Sequence, residues 1–150
     1  MDEHGDFGVD LLVLPDTSRA NNRIFGFDFQ LKSDGSTDLA TVEGVGNLKQ
    51  ALLLRLMTRP GDLEALGHPD YGSYLFELIG KPNTPTMHNQ AKALFLRTLA
   101  QEPRIRGATT VDVQQDPADC NAIVIKAELE VANPTKTVRL QFVFGTGASQ

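Results

Sequence analysis

The chain has 150 residues, which suits a single domain with a substantial hydrophobic core. Its 19 acidic and 14 basic residues give a formal net charge of −5, which argues against nucleic acid or an acidic membrane surface as a partner. No apolar run approaches the roughly 20 residues that a membrane-spanning helix needs. The acidic first residues lack the positive charge of a secretory signal, so we expect synthesis and folding in the cytoplasm.

The N-terminal part is predicted to be an extension followed by a hairpin. Residues 1–22 are rich in Asp, Gly, Asn and Ser, with one apolar patch at residues 11–14. Phenylalanine occupies every second position of residues 25–29, which places three rings on one face of a strand. Residues 33–36, Ser-Asp-Gly-Ser, are a turn signal, and residues 39–42 are expected to return as the second strand.

The clearest predicted helix covers residues 48–57. Good helix formers occupy the whole segment, and Leu48, Leu52 and Leu56 fall on one face because they are four residues apart. Further leucines widen this stripe, which indicates a heavily buried helix. Pro60-Gly61 then ends it, since Pro presets the backbone of a turn and Gly tolerates a positive φ.

Two more helices are predicted in the middle of the chain. Ser73 is a suitable N-cap for a short helix over residues 74–79. Thr84 is expected to cap a longer helix with an apolar face, because Pro fits the first helical position that follows it. This helix must stop near Glu102, since Pro103 disfavours helical geometry in the residue before it.

The last third of the chain changes to a period of two. Apolar and polar residues alternate over residues 109–114, 123–131 and 138–144, as expected for strands with one buried face. Residues 145–150 are expected to fray. The predicted fold is therefore α+β, with central helices packed on an antiparallel sheet that the C-terminal strands mainly form, and with an N-terminal hairpin or extension.

No residue pattern predicts a metal, cofactor or nucleophile site. His4, His68 and His88 have no histidine or cysteine neighbour at ligand spacing. Cys120 is the single cysteine, which excludes an internal disulfide, and its acidic surroundings disfavour a reactive thiolate. We therefore expect no cofactor.

Pairs of carboxylates are a weak candidate for catalysis. Glu64 with Asp70, or Glu77 with Glu102, could approach each other in the fold. A glycosidase needs two carboxyl groups about 5–9 Å apart, one of them with a raised pKa. Because 19 residues are acidic, such pairs also arise by chance.

Glu102-Pro103-Arg104 has two interpretations. The simpler one is a helix stop followed by a strand, which composition alone favours. The functional one is a charged pair on a rigid corner, because Pro103 fixes the backbone between Glu102 and Arg104. In that case Arg104 would offer a planar fork to a carboxylate or to the carbonyls at a partner's helix end.

Three segments taken together indicate a family. They are residues 47–61, residues 68–73 (His-Pro-Asp-Tyr-Gly-Ser) and residues 102–105 (Glu-Pro-Arg-Ile). In this order and spacing they resemble the baseplate wedge, or sheath-initiator, family of contractile tails, which includes components of T-even phage, type VI secretion and extracellular contractile injection particles. The resemblance covers residues 38–144, the expected wedge domain, and leaves residues 1–37 as an N-terminal extension with a strand.

The resemblance implies a structural role without catalysis. Several copies, expected to be six, would surround the central tube, and Glu102, Pro103 and Arg104 would contact the helical core bundle of other baseplate wedge proteins. The sheet would accept arms from sheath subunits by strand exchange, and the tube or hub is a further expected partner. An edge strand supports this expectation, because its unpaired N–H and C=O groups accept another strand.

The same pattern assigns two short motifs, Arg59-Pro60-Gly61 and Asp70-Tyr71-Gly72, mainly to the fold, with an interface role as the alternative. Pro60-Gly61 would form a turn, Asp70 would cap the helix that follows it, and Tyr71 would pack its ring.

Two other functions compete with the assembly role. A regulatory anti-adaptor shares this fold class and binds a response regulator. A peptidoglycan-cleaving enzyme is the other, because some relatives carry a lysozyme-like label and the chain has many carboxylates.

Overall fold

The computed structural model describes residues 8–13, 31–131 and 136–147. In this part of the chain, two α-helices pack on a three-stranded antiparallel sheet, and a short two-stranded sheet lies beside the first helix. The predicted α+β class is confirmed. No helix among the described residues is long and apolar enough to cross a bilayer.

The N-terminal strand β1 (Val9–Leu11) pairs antiparallel with β2 (Thr41–Glu43). The return strand predicted at residues 39–42 therefore pairs here with the N-terminal extension, and of the apolar patch only Leu11 belongs to β1. The predicted phenylalanine strand at residues 25–29 lies outside the described residues, so the hairpin stays a prediction. Its turn is present, since Leu31 and Leu39 form an antiparallel bridge around it.

Gln50 fastens the segment of β1 to the first helix. Its amide nitrogen donates to the Leu11 carbonyl at 3.0 Å, and its amide oxygen accepts from the Val13 N–H at 3.0 Å. The side chain is almost fully buried, with 2% of the residue exposed. The Gln50 side chain therefore holds the segment of residues 8–13 by hydrogen bonds to the main chain of that segment, which demand little of its sequence.

The first helix, α1, spans Gly44–Met57 and begins four residues before the predicted start at Leu48. It follows β2 directly, and Gly44 supplies the positive φ of 60° at the junction. The predicted stripe is confirmed, since Leu48, Leu52 and Leu56 are at most 1% exposed.

The second helix, α2, spans Pro85–Leu99 with the cap that the sequence predicts. The Thr84 hydroxyl accepts a hydrogen bond from the Met87 N–H at 3.2 Å, and Pro85 opens the helix. The short helix before it, Tyr74–Leu78, is a 3₁₀ helix whose N-cap is Ser73, as predicted.

The main sheet has the order β3 (Ile105–Asp116), β4 (Asp119–Val131) and β5 (Lys136–Gly145). β4 and β5 pair over ten consecutive positions without a shift, whereas the register between β3 and β4 shifts three times. The predicted alternation is confirmed, because every second residue of residues 123–131 and 138–144 is buried in the core. The core comprises Leu48, Leu52, Leu53, Leu56, Leu75, Leu78, Met87, Ala91, Leu94, Phe95, Leu99, Ile123, Ile125, Ala127, Leu129, Val131, Val138, Leu140, Phe142 and Phe144.

The expectation that the chain frays from Gly145 onward is wrong for residues 145–147. Gly145 still belongs to β5, and Thr146 is 2% exposed. The Thr146 N–H donates to the Asn121 carbonyl at 2.8 Å, and its own carbonyl accepts from the Gly80 N–H at 2.7 Å. Small polar residues predict a mobile end only when their backbone groups face water, and here those groups are bonded within the fold. Residues 148–150 lie outside the described part.

Candidate functional site

The predicted corner connects the end of α2 to the start of β3. The helix ends at Leu99, and the Glu102 N–H still donates to the Leu99 carbonyl at 3.0 Å. The Glu102 carbonyl then accepts from the Ile105 N–H at 3.2 Å, at the first residue of β3. Pro103 is exposed at the tip of this turn. The simpler interpretation, a helix stop followed by a strand, is therefore correct as a description of the backbone.

Glu102 and Arg104 form a two-point ion pair across this turn. Arg104 Nε donates to Glu102 Oε1 at 2.7 Å, and Arg104 Nη2 donates to Oε2 at 3.1 Å. The Arg104 backbone N–H adds a third hydrogen bond to Oε1 at 3.2 Å. The Glu102 side chain is 8% exposed and that of Arg104 is 27% exposed. The expectation that this fork is held out to a partner carboxylate is wrong for this edge of the guanidinium, because Glu102 already occupies it.

The ion pair sets the charge of the corner. Burial by itself raises the pKa of Glu102, but the hydrogen bonds from the Arg104 side chain and N–H outweigh it and hold the pKa below its ordinary value. The same hydrogen bond to Glu102 raises the pKa of Arg104. Glu102 is therefore a carboxylate at neutral pH, which is the opposite of the protonated acid that a glycosidase needs.

A chain of aromatic and polar contacts continues from the corner. The Arg55 guanidinium lies over the Tyr71 ring, 4.3 Å from its centroid, and its Nη1 donates to Gln101 Oε1 at 3.2 Å. Gln101 Nε2 donates to the Tyr74 hydroxyl at 3.1 Å, and the Arg97 guanidinium lies 3.8 Å from the centroid of the Tyr74 ring. Burial raises the pKa of Tyr71, so its phenol stays neutral beside Arg55. We call these five side chains the basic-aromatic surface.

An open groove of about 350 Å³ borders this surface. Its walls come from α1, from the loop after the 3₁₀ turn Glu64–Leu66 and from the end of α2. The lining residues are Arg55, Gly67, His68, Pro69, Asp70, Tyr71 and Gln101.

The two short motifs dock against each other through their backbones. The Ser73 N–H donates to the Thr58 carbonyl at 2.9 Å. Gly72 has φ +136°, and a Cβ built there would lie 2.7 Å from backbone atoms of Arg59 and Pro60. The assignment of these motifs to the fold is confirmed, although the cap is Ser73 and not Asp70, since the Ser73 hydroxyl accepts the Leu75 N–H. This close approach brings Tyr71 under Arg55.

The other predicted candidates do not assemble into a site. Glu64, Asp70 and Glu77 are exposed, whereas Glu102 is buried with Arg104. Among the described residues, no group of three or more His, Cys, Asp or Glu side chains could hold a metal ion.

The histidines and the cysteine are scattered. His88 Nε2 contacts the Asn83 amide oxygen, and His68 lies in the exposed loop of the groove. Cys120 is exposed on β4. His4 lies outside the described residues.

Sequence reasoning found the corner but missed the residues beside it. A signal was present, because Arg97 and Gln101 are four residues apart and lie on one side of the end of α2. Arg55 and Gln101 are 46 residues apart, and no local pattern relates them.

Comparison with known proteins places these features in a family. A family model of the contractile injection system sheath initiator matches residues 23–131, which contain all three segments of the expected resemblance. The match starts before residue 38, where we expected the domain to begin, and stops at the last residue of β4. No curated protein sequence matches the chain.

Among solved structures, the fold is similar to that of a candidate tail lysozyme from Geobacter sulfurreducens. The TM-score is 0.58 at 20% sequence identity, over 67% of this chain and 89% of that one. At this identity the likeness concerns the fold alone. The family model, in contrast, spans well over half of the chain. The chain therefore belongs to the contractile injection system sheath initiator family.

Proposed function

We propose that this chain is a structural baseplate component that links the wedge proteins to the sheath and starts sheath assembly. Membership of the sheath initiator family gives the coarser role, a part of a contractile injection system. The observation that carries the finer role is that the first two family segments contact each other and reach Gln101, the residue before the Glu102-Pro103-Arg104 corner, through Arg55. In this account the protein acts by offering shape and hydrogen-bonding groups to neighbouring subunits, and it makes or breaks no covalent bond.

The wedge-facing part of the proposal is the corner itself. The ion pair of Glu102 and Arg104 fixes the turn, and Pro103 presents an exposed, rigid tip. A rigid corner loses little conformational entropy on binding, which favours a contact of modest area. Six copies around a ring, the number that the resemblance implies, would strengthen such contacts through multivalency.

The sheath-facing part of the proposal is the outer border of β5. β5 pairs with β4 over ten positions without a shift, so its opposite border is a regular template for another strand. β3, the other outer strand of this sheet, is interrupted by register shifts, and bulged strands accept partners less readily. We therefore assign sheath strand exchange to β5.

A tip substitution tests the wedge contact. Pro103→Asp places a charge and a flexible residue at the exposed tip without touching the core. We expect this variant to fold, with a melting temperature within a few degrees of the wild type, and to stop co-purifying with the wedge proteins of its own particle. Pro117→Asp, at the exposed turn between β3 and β4, is the matched control and should assemble normally. Normal sheathed particles from the Pro103→Asp strain would refute the assigned role of the corner.

Catalysis is not proposed for this chain. Glu102, the buried member of the candidate pairs, is a carboxylate whose charge Arg104 balances, because the ion pair lowers its pKa. The name of the solved structure concerns that protein, and its 20% identity carries no activity to this chain. Family membership likewise favours the baseplate role over the regulatory anti-adaptor. Peptidoglycan digestion by the purified protein, abolished by a single Asp or Glu replacement, would contradict this choice.

A further inference from the structure

Two arginines of the basic-aromatic surface form no ion pair with any carboxylate of the described residues. Arg104, Arg106 and Arg139 each lie within 4.0 Å of a carboxylate oxygen. No carboxylate of the described residues lies this close to the guanidinium of Arg55 or Arg97, which contact Tyr71 and Tyr74 instead. In a chain with 19 acidic and 14 basic residues, carboxylates are the more abundant partner. Because Arg55 and Arg97 lack an ion-pair partner among the described residues, they leave a local positive charge.

The aromatic rings hold these arginines in a definite orientation. A guanidinium stacked on a ring keeps the N–H groups along its edge available for hydrogen bonds in its own plane. Gln101 connects the two stacks, because it accepts from Arg55 and donates to the Tyr74 hydroxyl. The surface therefore presents two oriented cations on one hydrogen-bonded frame. Arg59 also lies over a ring, that of Phe76, but no hydrogen bond among the described residues joins that pair to this frame.

The groups that face the surface leave a positive balance. Glu102 forms its ion pair with Arg104 and is almost fully buried, and Arg55 is the second positive charge that lowers its pKa. Asp70 and His68 line the adjoining groove, and both are exposed loop residues. Asp70 lines the groove together with Arg55, whereas Arg97 lies outside that lining on the exposed side of α2.

We propose that the basic-aromatic surface binds a carboxylate-bearing segment of a baseplate wedge protein. This inference rests on the proposed function and extends its contact from the Glu102-Pro103-Arg104 corner to Arg55 and Arg97. Edge-on hydrogen bonds from a stacked guanidinium match the two oxygens of a carboxylate. Nucleic acid is disfavoured, because the net charge of −5 would repel its phosphates from the rest of the molecule.

Charge reversal on α2 tests the inference. The probe is the purified wedge complex of the same particle, titrated with the full chain at NaCl concentrations from 50 to 400 mM. We expect wild-type affinity to fall with salt, and Arg97→Glu to weaken binding at least about tenfold at low salt, with a shallower salt dependence. Arg55→Gln, which removes a charge without adding one, should weaken binding less. Lys92→Glu makes the same charge change at an exposed position on α2 and should bind as the wild type does.

The outcomes distinguish a failure of this inference from a failure of the function on which it rests. If the wild type does not bind the wedge complex, both the proposed function and this inference fail. If binding is tight but indifferent to salt and to Arg97→Glu, the wedge contact stands and the acidic partner is wrong. Binding of a DNA duplex that Arg97→Glu abolishes would also overturn the inference, because the ligand would then be phosphate.

Discussion

Gly72 is the residue on which the docking of the two family motifs depends. Its φ of +136° suits glycine alone, and its missing Cβ leaves space for the backbone of residues 58–60. The sequence marks this glycine only as part of a motif. Glycine is required at this position because of a tertiary contact with the backbone of residues 58–60, and no local sequence pattern indicates that contact.

We expect Gly72→Ala to lower the free energy of unfolding by about 3 kcal/mol or more, because it combines backbone strain with a steric clash. Thermal and urea denaturation of the purified variant measure this. Gly80→Ala is the matched control, since Gly80 has φ +86° but nothing within 4 Å of a Cβ. The control should lose only about 1 kcal/mol. Equal losses in the two variants would contradict the backbone contact.

The Glu102–Arg104 ion pair makes stability depend on pH. The folded pKa of Glu102 lies below its ordinary value of 4.5, so the pair contributes stability that is fully present above about pH 4.5 and is lost as the pH falls through the folded pKa. Glu102→Gln should therefore cost about 1–2 kcal/mol at pH 7, and the difference from the wild type should shrink as the pH approaches 3. Urea denaturation at a series of pH values measures it. A difference that stayed constant down to pH 3 would show that the charge of Glu102 has no role.

At the scale of elements, the sequence predicted those features that depend on neighbouring residues, namely helix caps and buried helix faces. The Thr84 cap and Pro85 fixed the start of α2, and the spacing of leucines identified the buried face of α1. β1 escaped prediction because three residues pair with a strand about 30 positions away, and Gln50 completes their hydrogen bonds. A polar residue inside an apolar stripe is the signal that could have indicated such a contact.

We expect Gln50→Leu to release the segment of residues 8–13 while the domain stays folded. Leucine fills a similar volume but neither donates to the Leu11 carbonyl nor accepts from the Val13 N–H. Hydrogen exchange measured by mass spectrometry should show faster exchange in a peptide that contains Val13, with little change in β4. Gln90→Leu, at an exposed position of α2, should leave both unchanged. Unaltered exchange at Val13 would mean that β2 alone holds the segment.

At the scale of the whole molecule, distant parts of the sequence meet at one corner. Residues 47–61 and 68–73 contact each other through Gly72 and the Arg55–Tyr71 pair, and the Arg55–Gln101 hydrogen bond joins them to the residue that precedes 102–105. Composition and periodicity predicted the α+β class but not this convergence, because contacts between residues 46 positions apart leave no periodic trace. The family resemblance predicted the corner at Glu102, Pro103 and Arg104. The ion pair between Glu102 and Arg104 explains its shape.

The two proposed contacts, with the wedge and with the sheath, lie on different parts of the molecule. The corner lies at the end of α2, whereas the border assigned to the sheath is β5, which is separated from β3 by the width of β4. Such a separation would let one subunit hold a wedge protein and a sheath subunit at the same time.

An electron cryomicroscopy reconstruction of the purified particle tests this central claim most directly. The account predicts six copies of the chain between the wedge and the first sheath ring, with Pro103 against wedge protein and a sheath strand hydrogen-bonded along β5. Particles that carry a complete wedge and sheath without this chain between them would contradict it.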